Sequence, residues 1–522
     1  MTSRRVSIFA SNIGSEHLIG LAGAGASSGM AMAHWEIQGW MILILGWVFV
    51  PFYSRSMVYT MPEFLERRYN PQSRTILSVI SLVSYVLTKV AVTVYAGGLV
   101  FQQVFGIKEL WGIDFFWIAA IGLVVLTALY TIFGGMKSVL YTSVLQTPIL
   151  LLGSLIILVL GFKELGGWDE MMRVCGAVTV NDYGDTMTNL IRSNDDANFP
   201  WLGALIGSAI IGFWYWCTDQ FIVQRVLSGK NEKEARRGTI FGAYLKLLPV
   251  FLFLIPGMIA FALHQKYIGA GGEGFLPMLA NGTANADAAF PTLVAKLLPA
   301  GVKGLVVCGI LAALMSSLAS LFNSSAMLFT IDFYKRFRPE TPEKKLVGIG
   351  QIATVVIVIL GILWIPIMRS VGDVLYTYLQ DVQSVLAPGI AAAFLLGICW
   401  KRTSAQGGMW GLIAGMIIGL TRLGAKVYYS NAGEVADSTF KYLFYDMNWL
   451  FFCGWMFLFC IIVVIVVSLA TEAPTAEKIQ GLVFGTATKE QKAATRASWD
   501  HWDIIHTVII LAITGAFYWY FW

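Results

Sequence analysis

Charge is scarce in this chain. Of its 522 residues only 13% are Asp, Glu, Lys or Arg, against about 25% in an ordinary soluble domain, which excludes a water-covered globular surface. Cysteine is equally sparse: six residues (Cys175, Cys217, Cys308, Cys399, Cys453 and Cys460), most of them inside apolar runs, exclude a disulfide framework. The five histidines show no zinc-ligand spacing beyond the proximity of His501 and His506. A nucleotide site is excluded as well: Gly269 to Gly274 reads GAGGEG, but no strand-turn-helix context surrounds it. With no nucleophile–base pair, metal cluster or soluble catalytic segment, the sequence does not read as an enzyme.

What is present is apolar length. Runs of about 20 residues, enough to span a bilayer as helix, fall near 6–29, 36–53, 76–105, 115–133, 139–162, 201–225, 239–264, 300–330, 347–368, 374–399, 407–425, 447–469 and 503–521. The expectation is an all-α polytopic membrane protein of about thirteen helices, multi-pass in the cell (plasma or inner) membrane, its partner surface the lipid bilayer. Basic residues gather in alternate loops, among them Arg67, Arg68, Arg236, Arg237, Lys335, Arg336, Lys344, Lys345, Lys401 and Arg402. By the positive-inside rule those loops are cytoplasmic, which accounts for the net charge of +5 without any nucleic-acid partner. The outward loop 164–199 is acidic; it reads as a lid or, on balance, a solvated connection.

The apolar pattern breaks where a buried polar group needs a partner or a cavity. ASNIGSEH (10–17), FWYWCTDQ (213–220), Lys246, the serines around 316–325 and Tyr378 to Ser384 are those places. Small residues also glue membrane helices together, which suffices for Gly20, Gly23 and Ser320. It does not suffice for Asn12, Glu16, Glu36 or Lys246. An unwound helix frees carbonyls, tolerated only beside a protein-buried or aqueous cavity, and carbonyls with hydroxyls are uncharged hard donors suited to sodium. Ala313, Ser316 and Ser317 offer a carbonyl and two hydroxyls within about one turn of helix; Ala10 and Ile13 flank a break that offers two more. Asn12, His17, Glu36, Lys246 and Gln380 come from four helices and mix donors with acceptors, as a polyhydroxyl solute requires. Trp35, Tyr215 and Trp216 supply flat faces for a ring, gates, or plain packing.

At these residues the chain resembles the sodium:solute symporter family, close to the sodium/glucose cotransporters. The resemblance rests on ASNIGSEHLIGLAGAGASSG (10–29), YTMPEFLERRYN (59–70), WYWCTDQFIVQRVLSGKN (214–231), YLKLLPVFLFLIPGMIA (244–260), GVKGLVVCGILAALMSSLASLFNSSAMLFTIDFY (301–334) and LAPGIAAAFLLGICWKR (386–402). It implies a LeuT-type bundle of two five-helix inverted repeats, about 6–162 and 201–399, with peripheral helices over 400–522 and sites at discontinuous helices near the midplane. It further implies sodium at Ala10, Ile13, Ala313, Ser316 and Ser317. Sugar would be bound by Asn12, His17, Glu36, Lys246 and Gln380, with Trp216 stacking beside it, Tyr215 as inner gate and Trp35 in the outer closure. Three departures stand out. The family usually has a helix before ASN, it commonly reads YTD where this chain has Tyr141-Thr142-Ser143, and some relatives carry a sugar-binding Asn or Ser at the position of Gly212.

The function implied is sodium-coupled symport of a glucose- or galactose-like monosaccharide by alternating access. Two rivals stand beside it: a sodium-coupled carrier of another polar solute such as inositol, and a sodium-gated sugar sensor, to which Ser143 lends weight.

Overall fold

The computed structural model describes residues 14, 16–56, 58, 60–227, 229, 231–279, 282–371, 374–431 and 436–522, with the side chains at 130, 132–147, 225, 227 and 369–371 set aside. Among the described residues, eleven helical stretches are long and apolar enough to cross a membrane, and Phe115–Leu129 is a shorter apolar helix. We label the principal stretches α1 (Glu16–Ser56), α2 (Pro71–Phe105), α3 (Phe115–Leu165), α4 (Trp201–Gln224), α5 (Glu232–Gly269), α6 (Ala300–Phe337), α7 (Glu343–Val371), α8 (Leu375–Cys399), α9 (Ala405–Asn431), α10 (Trp449–Ala470) and α11 (His501–Tyr520).

Local chemistry sets several of their starts. Asn70 caps α2, its side chain accepting from the Ser73 amide, with Pro71 in the first turn. Asn231 caps α5 in the same way, and Asp500 and Asp503 form a reciprocal cap on α11. Each satisfies amides that a helix start otherwise leaves open.

Two boundaries differ from the sequence expectation. The runs at 115–133 and 139–162 join into the single helix α3, because the intervening Gly-Gly costs only about 1 kcal/mol per glycine and no proline stands there to break it. The acidic outward loop is not a solvated strand of chain. It folds as a helix over Trp168–Gly176 and then seats on the middle of α1, around residues 28–34. The Met30 amide donates to the Met187 carbonyl at 2.8 Å, a ring nitrogen of His34 meets the Leu190 carbonyl at 3.0 Å, and Arg192 donates to the Ser28 carbonyl. Gly29 permits this: its φ is +67°, and a Cβ there would stand 2.0 Å from the Met187 oxygen.

The helices that surround the site pack backbone to backbone. A Cβ at Gly25 of α1 would lie 2.2 Å from the Leu254 carbonyl of α5, and one at Gly257 of α5 would lie 1.9 Å from the Ala22 carbonyl of α1. Without a hydrophobic force between helices in lipid, such close approach is what holds them. α1, α5 and α8 are buried along most of their length, while α7, α10 and α11 present broad apolar faces outward.

Candidate functional site

Two interruptions face one small cavity. Gly14 lies in a bend, and α1 begins with a wide turn over Glu16–Leu21. α4 is regular to Gly212, widens over Phe213–Thr218 and opens at Asp219, whose backbone is extended. His17 from the first and Tyr215 and Trp216 from the second line a cavity of about 50 Å³, together with Lys246, Gln380, Trp35 and Gly212. Water needs roughly 10–15 Å³ of such space, so the chamber is narrow and closely walled.

The expected side chains meet there through charge. Glu36 is fully buried; its carboxylate accepts from Lys246 Nζ at 2.7 Å and from the Tyr376 hydroxyl at 2.7 Å, with His17 Nε2 at 3.4 Å. The Lys246 ammonium also stands 5.7 Å from the Trp216 ring. Lys246 sits at a kink, the last residue of a helix over Glu232–Lys246 before a wide turn over Val250–Leu254. Gln380 is buried, and its Oε1 meets no donor among the described residues. Above the cavity Trp35 stacks on Trp449 with ring centres 5.4 Å apart and meets Phe199 edge-on at 6.1 Å.

A second ion pair lies below, and the sequence reading missed half of it. Lys89 donates to Asp219 at 2.6 Å, Tyr85 donates to the same carboxylate at 2.8 Å, and the ammonium lies over the rings of Phe221, Tyr85 and Tyr215 at 3.9, 4.9 and 5.1 Å. The signal was present: Lys89 is the one charged residue between 76 and 105, and a mid-span cation requires a partner. Gln38, Thr88 and Tyr376 also line the chamber without having been expected, and Gln383, inside the polar interruption at 378–384 but given no role there, does so too. Gln38 explains how Gly212 is accommodated, since its Oε1 would lie 2.5 Å from a Cβ there while its amide donates to the Ser208 carbonyl.

Of the residues expected to hold an ion, Ala313, Ser316 and Ser317 are buried in α6. A Cβ at Gly14 would stand 2.7 Å from Ser317 Oγ, so the start of α1 touches this turn of α6. Ser317 Oγ has no hydrogen-bond partner among the described residues. Ala10, Asn12 and Ile13 lie outside the described residues, as does the side chain of Ser143.

On the outward side, Asp287 occupies a short turn over Ala286–Ala288 between α5 and α6. Its carboxylate accepts the Leu375 amide at the head of α8, at 3.1 and 3.2 Å. Burial pushes its pKa up to about 7, the amide partly opposing.

Residues 2–415 match the sodium:solute symporter family. The chain is 36% identical over 493 residues to the human sodium/myo-inositol cotransporter 2, covering 92% of this chain and 72% of that one. It is 38% identical over 484 residues to the sheep sodium/glucose cotransporter 1, covering 89% and 72%. A solved Na+-coupled sialic acid symporter superposes with a TM-score of 0.67 at 20% identity, covering 91% of this chain and 90% of that one. Mhp1, a nucleobase-cation-symport-1 transporter, gives 0.51 at 13% identity with 95% of both chains covered. The fold is the LeuT-type helix bundle expected.

Proposed function

Because the chain belongs to the sodium:solute symporter family, and is a multi-pass membrane transporter and not an enzyme, we propose that it couples sodium to the uptake of a neutral polyhydroxyl solute, a hexose or a cyclic polyol. One observation carries the reading. Both lysines at the chamber are matched by buried carboxylates, Lys246 by Glu36 and Lys89 by Asp219, and Glu16 adds a third carboxylate to the lining, so the walls offer hydrogen bonds from both signs with no surplus of positive charge. An anionic solute asks for uncompensated cations; a ring of hydroxyls asks for this. Trp35, Tyr215 and Trp216 add apolar faces for the ring's C–H surface.

The solute binds among Asn12, His17, Glu36, Lys246 and Gln380 in this reading, and sodium beside the first break, at Ala10, Ile13, Ala313, Ser316 and Ser317. The orphan hydroxyl of Ser317, held against Gly14, is what supports the ion position. Sodium there ties the start of α1 to α6 and steadies His17, three residues beyond Gly14, so ion and solute favour one another's binding reciprocally. Tyr215 closes the path below the solute and Trp35 the path above. Each sodium entering down 100 mV supplies about 2.3 kcal/mol, roughly a fifty-fold gradient, so a single ion per solute is enough for accumulation. The two five-helix repeats, about 6–162 and 201–399, then act as the inverted halves that rock about the site.

The relatives' names divide between inositol and glucose. The test is uptake of radiolabelled glucose, galactose and myo-inositol into proteoliposomes under an inward gradient of sodium, of protons, or of neither. Sodium-driven accumulation of one of them, blocked by an excess of the same compound, is the expected result. Binding without accumulation, or accumulation driven by protons alone, overturns the proposal and moves the protein to the sensor or to another coupling ion.

A further inference from the structure

A second, much roomier cavity lies away from the solute chamber, on the membrane-facing side of α7. It measures about 640 Å³ and is walled by α2, the end of α6 and α7, through residues such as Val86, Phe329, Ile349 and Leu363. Its lining on α7 recurs at helical spacing from Ile349 to Ile367, a length of about 27 Å at 1.5 Å per residue, close to the roughly 30 Å hydrocarbon core of a bilayer. The only indole in the wall, Trp364, turns its N–H away to the Tyr378 hydroxyl at 2.7 Å, which leaves the groove apolar. Ile352 and Leu363 stand 66% and 65% exposed on its rim, as side chains do that meet lipid tails.

One end of the groove is strongly basic. Tyr334 lines that end, and the connection from it to α7 carries Lys335, Arg336, Arg338, Lys344 and Lys345 against only Glu340 and Glu343. Lys345 lies one turn before Ile349 on the same face of α7. Arg336 is spoken for by the Pro71 carbonyl and the Thr75 hydroxyl. Lys335, Arg338, Lys344 and Lys345 are exposed and hold no carboxylate among the described residues. This end belongs to the cytoplasmic side by the positive-inside rule.

From this juxtaposition of a bilayer-deep apolar groove and a cluster of unengaged cations at its cytoplasmic mouth, we propose that α2, α6 and α7 form a site for an anionic phospholipid, its acyl chain along α7 and its phosphate at Lys344 and Lys345. The groove selects for a chain and the mouth for negative charge; neither alone separates this lipid from the bulk.

The test uses the purified full chain, delipidated in neutral-detergent micelles. It is titrated with spin-labelled phosphatidylglycerol or phosphatidylcholine, and the motionally restricted fraction is read by electron spin resonance. The wild type is expected to hold phosphatidylglycerol at least fivefold more tightly than phosphatidylcholine. Lys344→Gln with Lys345→Gln is expected to erase that preference, at about fivefold per lysine, the equivalent of about 1 kcal/mol per cation near an anionic headgroup. Val356→Trp, which fills the groove from a half-exposed position, is expected to lose both lipids, and Leu363→Trp serves if that variant melts early. Equal affinity for the two lipids, a preference that survives in the double-lysine variant, or retention by both groove-filling variants each overturns the proposal. So does displacement of the labelled lipid by millimolar glycerol phosphate, which makes the mouth a plain phosphate site.

Discussion

The Glu36–Lys246 pair allows the most searching test of how this chamber is held. Both groups are buried, they meet at 2.7 Å, and the carboxylate also takes the Tyr376 hydroxyl and lies 3.4 Å from His17. Removing one member leaves the other charged in a site with nothing equivalent to offer, which costs about 3–5 kcal/mol, whereas removing both at similar volume is close to neutral. Glu36→Gln and Lys246→Met are therefore each expected to lower the stability of the ligand-free protein by about 3–5 kcal/mol, and the double variant by no more than the smaller of the two. The coupling energy from chemical denaturation in mixed micelles should therefore be at least as large as the larger single effect, about 3 kcal/mol, at the top of the range for contacting pairs. Solute binding follows a different rule: if both side chains touch the solute, the double variant recovers stability without recovering affinity. Additivity of the two single effects to within about 0.5 kcal/mol refutes the reasoning, because the pair is then no pair in solution.

Four other outcomes are expected. Ser317→Ala should raise the sodium concentration needed for half-maximal uptake by tenfold or more while leaving solute affinity in saturating sodium within about twofold, about 1.4 kcal/mol being one decade; unchanged sodium dependence removes this serine from the ion site. Asp219→Asn should strand Lys89 beneath the chamber and cut uptake at least tenfold, and Lys89→Met added to it should restore part of the loss, read by initial rates in proteoliposomes. Asp287, whose carboxyl is lifted by burial to about 7 from about 3.9, binds its proton more tightly in the folded protein. The stability this gives is complete below about pH 4 and disappears as pH rises through 7, so wild-type melting temperature should fall across that interval relative to Asp287→Asn; parallel curves count against it. Gly257→Ala places a methyl 1.9 Å from the Ala22 carbonyl and should destabilise by about 1–3 kcal/mol, measured by the same denaturation.

How far the sequence foretells such a molecule depends on whether a residue breaks a rule visible from its neighbours. Lys246 and Glu36 announce themselves, being charges in apolar runs, and the chamber is where they meet. Asp219 and its surroundings, FWYWCTDQ, likewise mark the opening in α4. Lys89 breaks the same rule, and its partner could have been sought in Asp219. Tyr376 and Gln38 break none, since their roles come from helices that only tertiary packing brings together. The joining of 115–133 to 139–162 and the folding of the acidic loop onto α1 were illegible for another reason. Glycine permits many backbone paths and does not say which one packing will choose.

The glycine contacts between α1 and α5 carry a mechanical implication. Where side chains interleave, two helices can ratchet past one another in steps; where carbonyls rest on bare Cα atoms, at Gly25 against Leu254 and Gly257 against Ala22, there are no teeth to slip. The stretch of α1 around residues 22–25 and the middle of α5 thus rest backbone on backbone, with the roof over Trp35 fastened to α1 a turn or so further on through Met187 and Arg192. Any tilt of this part of α1 therefore takes α5 and the roof over Trp35 along with it.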